Sequence, residues 1–387
     1  MNARLPASPA HSESDTLVPQ QASASASFSG SYRPDDVQFL LKPIQMSFNH
    51  DLAEKERLIQ SGTRHYSEML SPESLPSECY LQVFRQAYAL NLAQMARDCL
   101  TLARLIAARK SGPVTVVSLM RAGTPIGVIL RHLLTRTCGV QACHYSVSII
   151  RDRGIDQNAL RHILQAGHAP ESIVFVDGWT GKGVISRELA QAVADFNLRH
   201  GVNIDPGLYV LSDLAGTATC AASSDDYLIP SSILNATVSG LLSRSVLNEA
   251  IGPDDFHGCV YFAEFAAHDQ SRQFADGVIE AALALPQDAT ARQRPADQAR
   301  AAQVSRGYIE QAMQEHGIDD VNLIKPGIGE ATRVLLRRVP RLLILRDGDA
   351  PAVAHLRVLA AEKAVPILIE PDLPYQAVSL ITSARDN

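Results

Sequence analysis

Residues 173–189 read "IVFVDGWTGKGVISREL": four apolar residues and an acid, three glycines within six positions (178, 181 and 183), then an amphipathic run. The apolar run predicts a buried strand. The spacing of Ile185, Leu189, Ala192, Val193 and Phe196 predicts a helix over 184–199. The first amides of a helix lack internal partners and carry the positive end of its dipole. A glycine turn in front of them can approach an anion closely, which makes Thr180, Gly181, Lys182 and Gly183 a candidate phosphate cradle. The nucleotide P-loop G-x-x-x-x-G-K-[ST] is not met, because two residues separate Gly178 from Gly181 and Gly183 stands where the hydroxyl belongs. A GxGxxG fingerprint is absent as well. The plain alternative is a βα turn carrying a solvated lysine.

Working outward, strands and helices alternate. "PVTVVSL" (113–119), a helix at 125–135, "HYSVSII" (144–150), a helix at 157–165, the strand before Asp177, and "GLYVLSD" (207–213) read as βαβ units. That pattern predicts an α/β fold with a parallel sheet. A long helix over 81–109 precedes it. Residues 1–34 are rich in Ser, Ala and Gln without apolar period and read as a disordered tail. Residues 35–285 then form the first domain, a polar Pro-flanked linker covers 286–296, and a small α/β module fills 297–387.

At 387 residues and 46% hydrophobic composition, two cores can be buried. A net charge of −6 advertises no global polycation, so any RNA site is local. Six cysteines without C-x-x-C spacing argue against a zinc ribbon or disulfide framework and fit a reducing cytoplasm. No signal peptide or membrane-length apolar run is visible. A soluble cytoplasmic protein is the expectation.

A second loop, "VVSLMRAGTPIG" (116–127), ends a strand at Leu119 and turns at Arg121, Ala122 and Gly123. Thr124 is the expected N-cap and Pro125 the first helical residue. Arginine in a glycine turn past the C-terminal edge of a parallel sheet stands where ligands bind in open α/β folds.

Together the two loops make residues 35–285 resemble a type I phosphoribosyltransferase domain. The resemblance implies Mg²⁺ as cofactor and phosphoribosyl pyrophosphate or a ribonucleotide as substrate. Asp177, Arg121 and Arg153 would be catalytic, with Asp177 on the ribose hydroxyls and Thr180, Gly181, Lys182 and Gly183 on the 5′-phosphate. Arg121, Ala122 and Gly123 would form the pyrophosphate loop. Arg151 and Arg153 of "IIRDRGID" (149–156) would be charge clamps. Gly178 stands where the family has a second acid, and the metal ligands are not assigned. With "PSSILNATVSGLLSRSVLN" (230–248), the chain is more similar still to the predicted phosphoribosyltransferases of tellurite-resistance stress operons, a StiP-type subgroup. Thr237, Ser239 and Arg244 would then line the acceptor pocket.

That subgroup carries a C-terminal Pelota-type RNA-binding domain, and residues 323–371 resemble the Pelota and L7Ae-like fold. The turn reads Gly327-Ile328-Gly329-Glu330-Ala331-Thr332-Arg333. Gly327, Gly329, Glu330, Arg333 and Arg337 are its implied RNA contacts, with the turn 327–333 as the contact surface of an independently folding module at 297–387. The resemblance also allows a homodimer. Two alternatives remain: a module that binds ribose phosphate or RNA without turnover, and a cysteine protease, a label the subgroup has also carried. The protease needs a thiolate with a His base, for which Cys220 or Cys259 with His257 are candidates.

Overall fold

The computed structural model describes residues 28–48, 51–286 and 295–382. The tail and linker expected from sequence fall mainly outside these residues. Residues 28–34 are an exception. Tyr32 is 1% exposed, its ring packs 6.4 Å from that of Phe39, and its hydroxyl donates to the Val238 carbonyl. Tyr32 therefore packs with the first domain.

Six parallel strands form the first sheet: β1 (Gln38–Leu40), β2 (Val114–Leu119), β3 (Ala142–Val147), β4 (Ile173–Thr180), β5 (Leu208–Asp213) and β6 (Cys220–Ser223), in the order β1-β3-β2-β4-β5-β6. Helices cover both faces, so the central strands are continuous buried runs rather than alternating ones. After the short α1 (Leu52–Gln60), the long α2 (Glu78–Arg109) packs on one face with α3 (Gly123–Thr137) and α6 (Ser271–Leu283). On the other face lie α4 (Gln157–Gln165) and α5 (Val184–His200).

Two expected boundaries shift. β4 continues through Trp179 and Thr180, which pair with Ser212 and Asp213, so Thr180 belongs to the strand and not to the turn. α3 starts at Gly123. Thr124 lies inside the helix rather than capping it, with its buried hydroxyl 2.8 Å from that of Ser146.

The second domain contains α7 (Pro295–His316), β7 (Ile324–Pro326), α8 (Ile328–Arg337), β8 (Pro340–Leu345), α9 (Ala354–Glu362), β9 (Ile367–Ile369) and β10 (Ala377–Ile381). Its sheet has the order β7-β10-β8-β9. β10 lies beyond the strands read from sequence. It is buried throughout and runs antiparallel between β7 and β8.

α8 lies across the C-terminal edge of the parallel sheet. Ile328, Ala331 and Leu335 join Trp179, Tyr227 and Ile229 in one apolar cluster. The Ile328 amide donates to Asp226 at 2.9 Å and the Gln376 amide to the same carboxylate at 2.7 Å. The two domains thus share an apolar cluster and backbone hydrogen bonds to Asp226. No helix among the described residues is long and apolar enough to cross a membrane.

Candidate functional site

The strand β4 delivers Asp177 to the floor of a cavity of about 360 Å³ between the sheet edge and α8. Gly181, Lys182 and Gly183 follow on its rim. Gly183 has φ of 69°, and a Cβ there would meet the Thr217 side chain at 2.5 Å, so glycine is required where α5 starts. Arg151 and Arg244 close the cavity from the first domain; Lys325, Glu330 and Arg333 close it from the second.

Burial pushes the Asp177 carboxyl up to about 6, against the pull of Arg333, and the Gly178 amide donates to it at 2.7 Å. Burial, then the neighbouring Lys325, pushes the Lys182 ammonium down to about 7. Its Nζ donates to the Val321 carbonyl, so Lys182 ties the domains together and is not the solvated lysine of an ordinary turn. Glu330 is raised by burial, but Arg333, Lys325 and Lys182 outweigh that and hold it below the usual carboxylate range.

The hinge of this contact is Trp179, the single tryptophan of the chain. Its Nε1 donates to Glu330 at 3.3 Å and the Arg333 guanidinium lies 4.4 Å from its ring centroid. A Cβ at Gly329 would sit 2.7 Å from the indole. Arg337 reaches Asn235 Oδ1 at 3.0 Å. Gly327, Gly329, Glu330, Arg333 and Arg337, the residues expected to meet RNA, face the first domain. Gly329→Ala is expected to lift α8 off the indole at a cost of about 1–3 kcal/mol. Urea unfolding measures the loss, and a red shift of the Trp179 fluorescence reports the displacement.

Thr180 has a structural task. Its hydroxyl donates to Asp213 Oδ1 at 2.5 Å and accepts from the Ala215 amide at 3.0 Å, all buried. Thr180→Val leaves that amide and the 3%-exposed carboxylate each one partner short, an expected loss of about 1–3 kcal/mol in urea unfolding.

Arg121 is neutralised within the chain: its guanidinium pairs with Glu73 and donates to Asn235 Oδ1 at 3.0 Å. It lines a neighbouring cavity of about 590 Å³ together with Thr237. Ala122 and Gly123 lie at the start of α3, where a Cβ on Gly123 would come 2.6 Å from the Val176 carbonyl. Ser239 is buried with its hydroxyl on the Asn235 carbonyl. Arg153 is an exposed partner of Glu68 at 2.8 Å, outside either cavity lining. The structure thus joins Asp177, Lys182, Arg244, Glu330, Arg333 and Arg337 around one space, while Arg153 and Ser239 stay outside it. For Mg²⁺ the donor set does not fit. Glu330 is held by Arg333 and Trp179, leaving one carboxylate among cations, and no cluster of three metal-ligating side chains exists among the described residues.

The thiols separate by burial. Cys220 and Cys259 are both 0% exposed, and burial pushes them up to about 11 and about 12. The His257 Nδ1 is instead 2.7 Å from the Ser148 hydroxyl. Among the described residues neither buried thiol has a hydrogen bond to His257. A different cysteine meets a histidine: half-buried Cys143 on β3 has its Sγ 3.8 Å and 3.9 Å from the two ring nitrogens of His168. Thr115, opposite Cys143 in the register of β2 and β3, accepts from the thiol at 3.8 Å and lies 3.2 Å from His168 Nδ1. The Tyr145 hydroxyl lies 2.9 Å from His168 Nε2. Burial raises the Cys143 thiol and, with His162, lowers the His168 imidazole. No local motif marks this pair, since 25 residues separate its members.

Comparison with known proteins corrects the enzymatic expectation. Residues 30–279 match the family "Tellurite-like stress resistance cysteine protease StiP", and residues 303–383 match the Pelota RNA-binding domain. A relative from Acinetobacter baylyi, "Cysteine protease StiP", is 41% identical over 92% of this chain and 94% of its own. Solved structures with some likeness include the xanthine-guanine-hypoxanthine phosphoribosyltransferase of Helicobacter pylori (15% identity, 33% of this chain, 78% of that one, TM-score 0.23). The Trypanosoma cruzi hypoxanthine phosphoribosyltransferase is another (12%, 33%, 66%, 0.25). Such scores are too low to mark a shared fold. The phosphoribosyltransferase expectation is overturned, because the family and the relative are both named for a cysteine protease. On the family match and the 41% identity over nearly its whole length, the chain belongs to the StiP family.

Proposed function

We propose that the chain is a cysteine-dependent peptidase whose nucleophile is Cys143 and whose base is His168, coupled to an RNA-binding second domain. The observation that carries the reading is the contact of a half-buried thiol with an imidazole held by two hydroxyls. With the thiol raised and the imidazole lowered, both are neutral at rest. The imidazole then acts as a general base: it takes the thiol proton as sulfur attacks a peptide carbonyl and returns it to the departing amine. Water, deprotonated by the same ring, hydrolyses the thioester. The sulfur is almost equidistant from both ring nitrogens, so the ring turns out of one hydroxyl contact to receive the proton.

Position supports access. β1 pairs with β3 at Tyr145–Val147, so Ala142 and Cys143 lie beyond its register at the sheet margin. An extended peptide adding there as a strand would pass the thiol. The test is labelling by iodoacetamide of the full-length chain, followed by peptide mapping. Loss of casein cleavage in step with alkylation of Cys143 supports the assignment; inactivation that tracks another cysteine ends it. RNA binding rests on the family description of residues 303–383.

A further inference from the structure

The second domain keeps its cations on the side turned toward the first. Lys325, Arg333, Arg337 and Arg338 line the cavity of about 360 Å³, and Arg337 and Lys363 the neighbouring one of about 590 Å³. Arg300 and Arg346 line a third cleft, of about 830 Å³, opposite Asp225 and Tyr227 of the first domain. Against these seven cations the second domain sets two carboxylates on the same side, Glu330 and Glu362. Elsewhere on its described surface the balance reverses. Outside the three cavities, seven exposed carboxylates between Glu310 and Asp372 stand against three exposed cations, Arg306, Arg341 and Arg357. Arg357 is itself paired with Asp349 at 3.3 Å.

RNA carries a negative charge at every phosphate and binds through cations, so an acidic surface repels it. We propose that the docked chain is closed to RNA, because the first domain covers the basic side of the second, and that docking and RNA binding exclude each other. This regulation rests on the RNA-binding reading of residues 303–383. Cations of α8 are already engaged by the first domain: the Arg333 guanidinium lies 4.4 Å from the Trp179 ring centroid, and Arg337 donates to Asn235 at 3.0 Å. An RNA backbone can take these side chains only after α8 has left its seat.

The docking contact is narrow. Ile328, Ala331 and Leu335 meet Trp179, Tyr227 and Ile229, and Asp226 accepts the Ile328 and Gln376 amides. The three cavities border this strip, for Trp179 lines the first, Leu336 the second and Tyr227 the third. Docking also takes charge out of water: burial pushes Lys182 down to about 7 and holds the Arg337 guanidinium well below its ordinary range. Opening returns both to solvent, so a polyanion that binds only the open state draws the equilibrium toward it.

The experiment follows a fluorescein-labelled RNA hairpin by anisotropy against the full-length wild type, Trp179→Ala and Trp179→Phe at one low salt concentration. Both substitutions are neutral, lie in the first domain and leave the second domain's own surface as it is. Apparent affinity scales with the open fraction, so Trp179→Ala should bind at least tenfold tighter than the wild type, with Trp179→Phe between them. Unlabelled RNA should also red-shift the fluorescence of the wild type, since the sole indole of the chain loses its cover as the domains part. Arg333→Gln with Arg337→Gln, added to Trp179→Ala, should remove the gain. If Trp179→Ala fails to fold, Trp179→Phe and the wild-type fluorescence carry the test. Equal or lower affinity in the Trp179 variants, or wild-type binding without a spectral shift, overturns the closure while leaving RNA binding by the second domain in place. A gain that survives loss of both arginines overturns it too, because the uncovered side is then not the one that binds. No saturable RNA binding by any form removes the RNA-binding reading and the closure with it.

Discussion

Cys143→Ala in the full-length chain is expected to lower kcat/KM for casein cleavage by roughly 10³-fold or more, with the melting temperature little changed. The size follows from removing the nucleophile itself, for which no neighbouring group substitutes. The fold should tolerate the change because Cys143 is half-buried and loses only long sulfur contacts of 3.8–3.9 Å. Cys220→Ser and Cys259→Ser make the opposite pair of controls. Both positions are 0% exposed, so a hydroxyl there should cost stability and leave cleavage in place. The pH profile separates a general base from a preformed thiolate. Burial lowers the imidazole, so the acid limb of kcat/KM should fall below pH 6.5, and the raised thiol should give no alkaline limb below pH 9. A preformed thiolate–imidazolium pair would instead be set by a depressed thiol and lose activity as the imidazolium deprotonates. Full activity in Cys143→Ala sinks the assignment.

The parallel sheet was legible because its central strands are short apolar runs, bounded by turn residues and joined by helix-length segments, a pattern with few alternative packings. Three strands escaped. β1 is the three-residue "QFL", too short to show a period. β6 is "CAAS", too small and polar to stand out, and forms because β5 offers its edge to Cys220–Ser223. β10 carries a buried serine in an otherwise apolar run and lies past the last periodic segment, yet it occupies the middle of its sheet. The cavity was half legible. Glycine and charge in residues 177–183 marked a site after β4, but the cations of the second domain reach it only through docking of α8. An amphipathic helix announces that one face is covered, not by what. The Cys143–His168 contact could not be read from spacing, because strand register and the loop before β4 create it. Trp179 carried no signal at all: a tryptophan at a strand end reads as core until its partner across the chain is known.

Trp179→Ala is expected to produce the largest loss of stability, about 3–5 kcal/mol. The indole is 8% exposed, and its removal opens a hole against Gly329, where no side chain exists to fill it. It also takes away the donor to Glu330 and the ring beneath Arg333, a cation–π contact worth about 0.5–2 kcal/mol. The loss should concentrate at the domain contact. Hydrogen exchange should accelerate first in α8 and β7, before β2 and β4, whose ladders lie deeper in the first sheet. Trp179→Phe separates packing from polarity. It keeps an aromatic face for Gly329 and Arg333 but cannot donate to Glu330, so it should recover more than half of the stability. A cost below about 1 kcal/mol in Trp179→Ala, with unchanged exchange in α8, would mean that the shared apolar cluster of Ile328, Ala331 and Leu335 holds the domains without it.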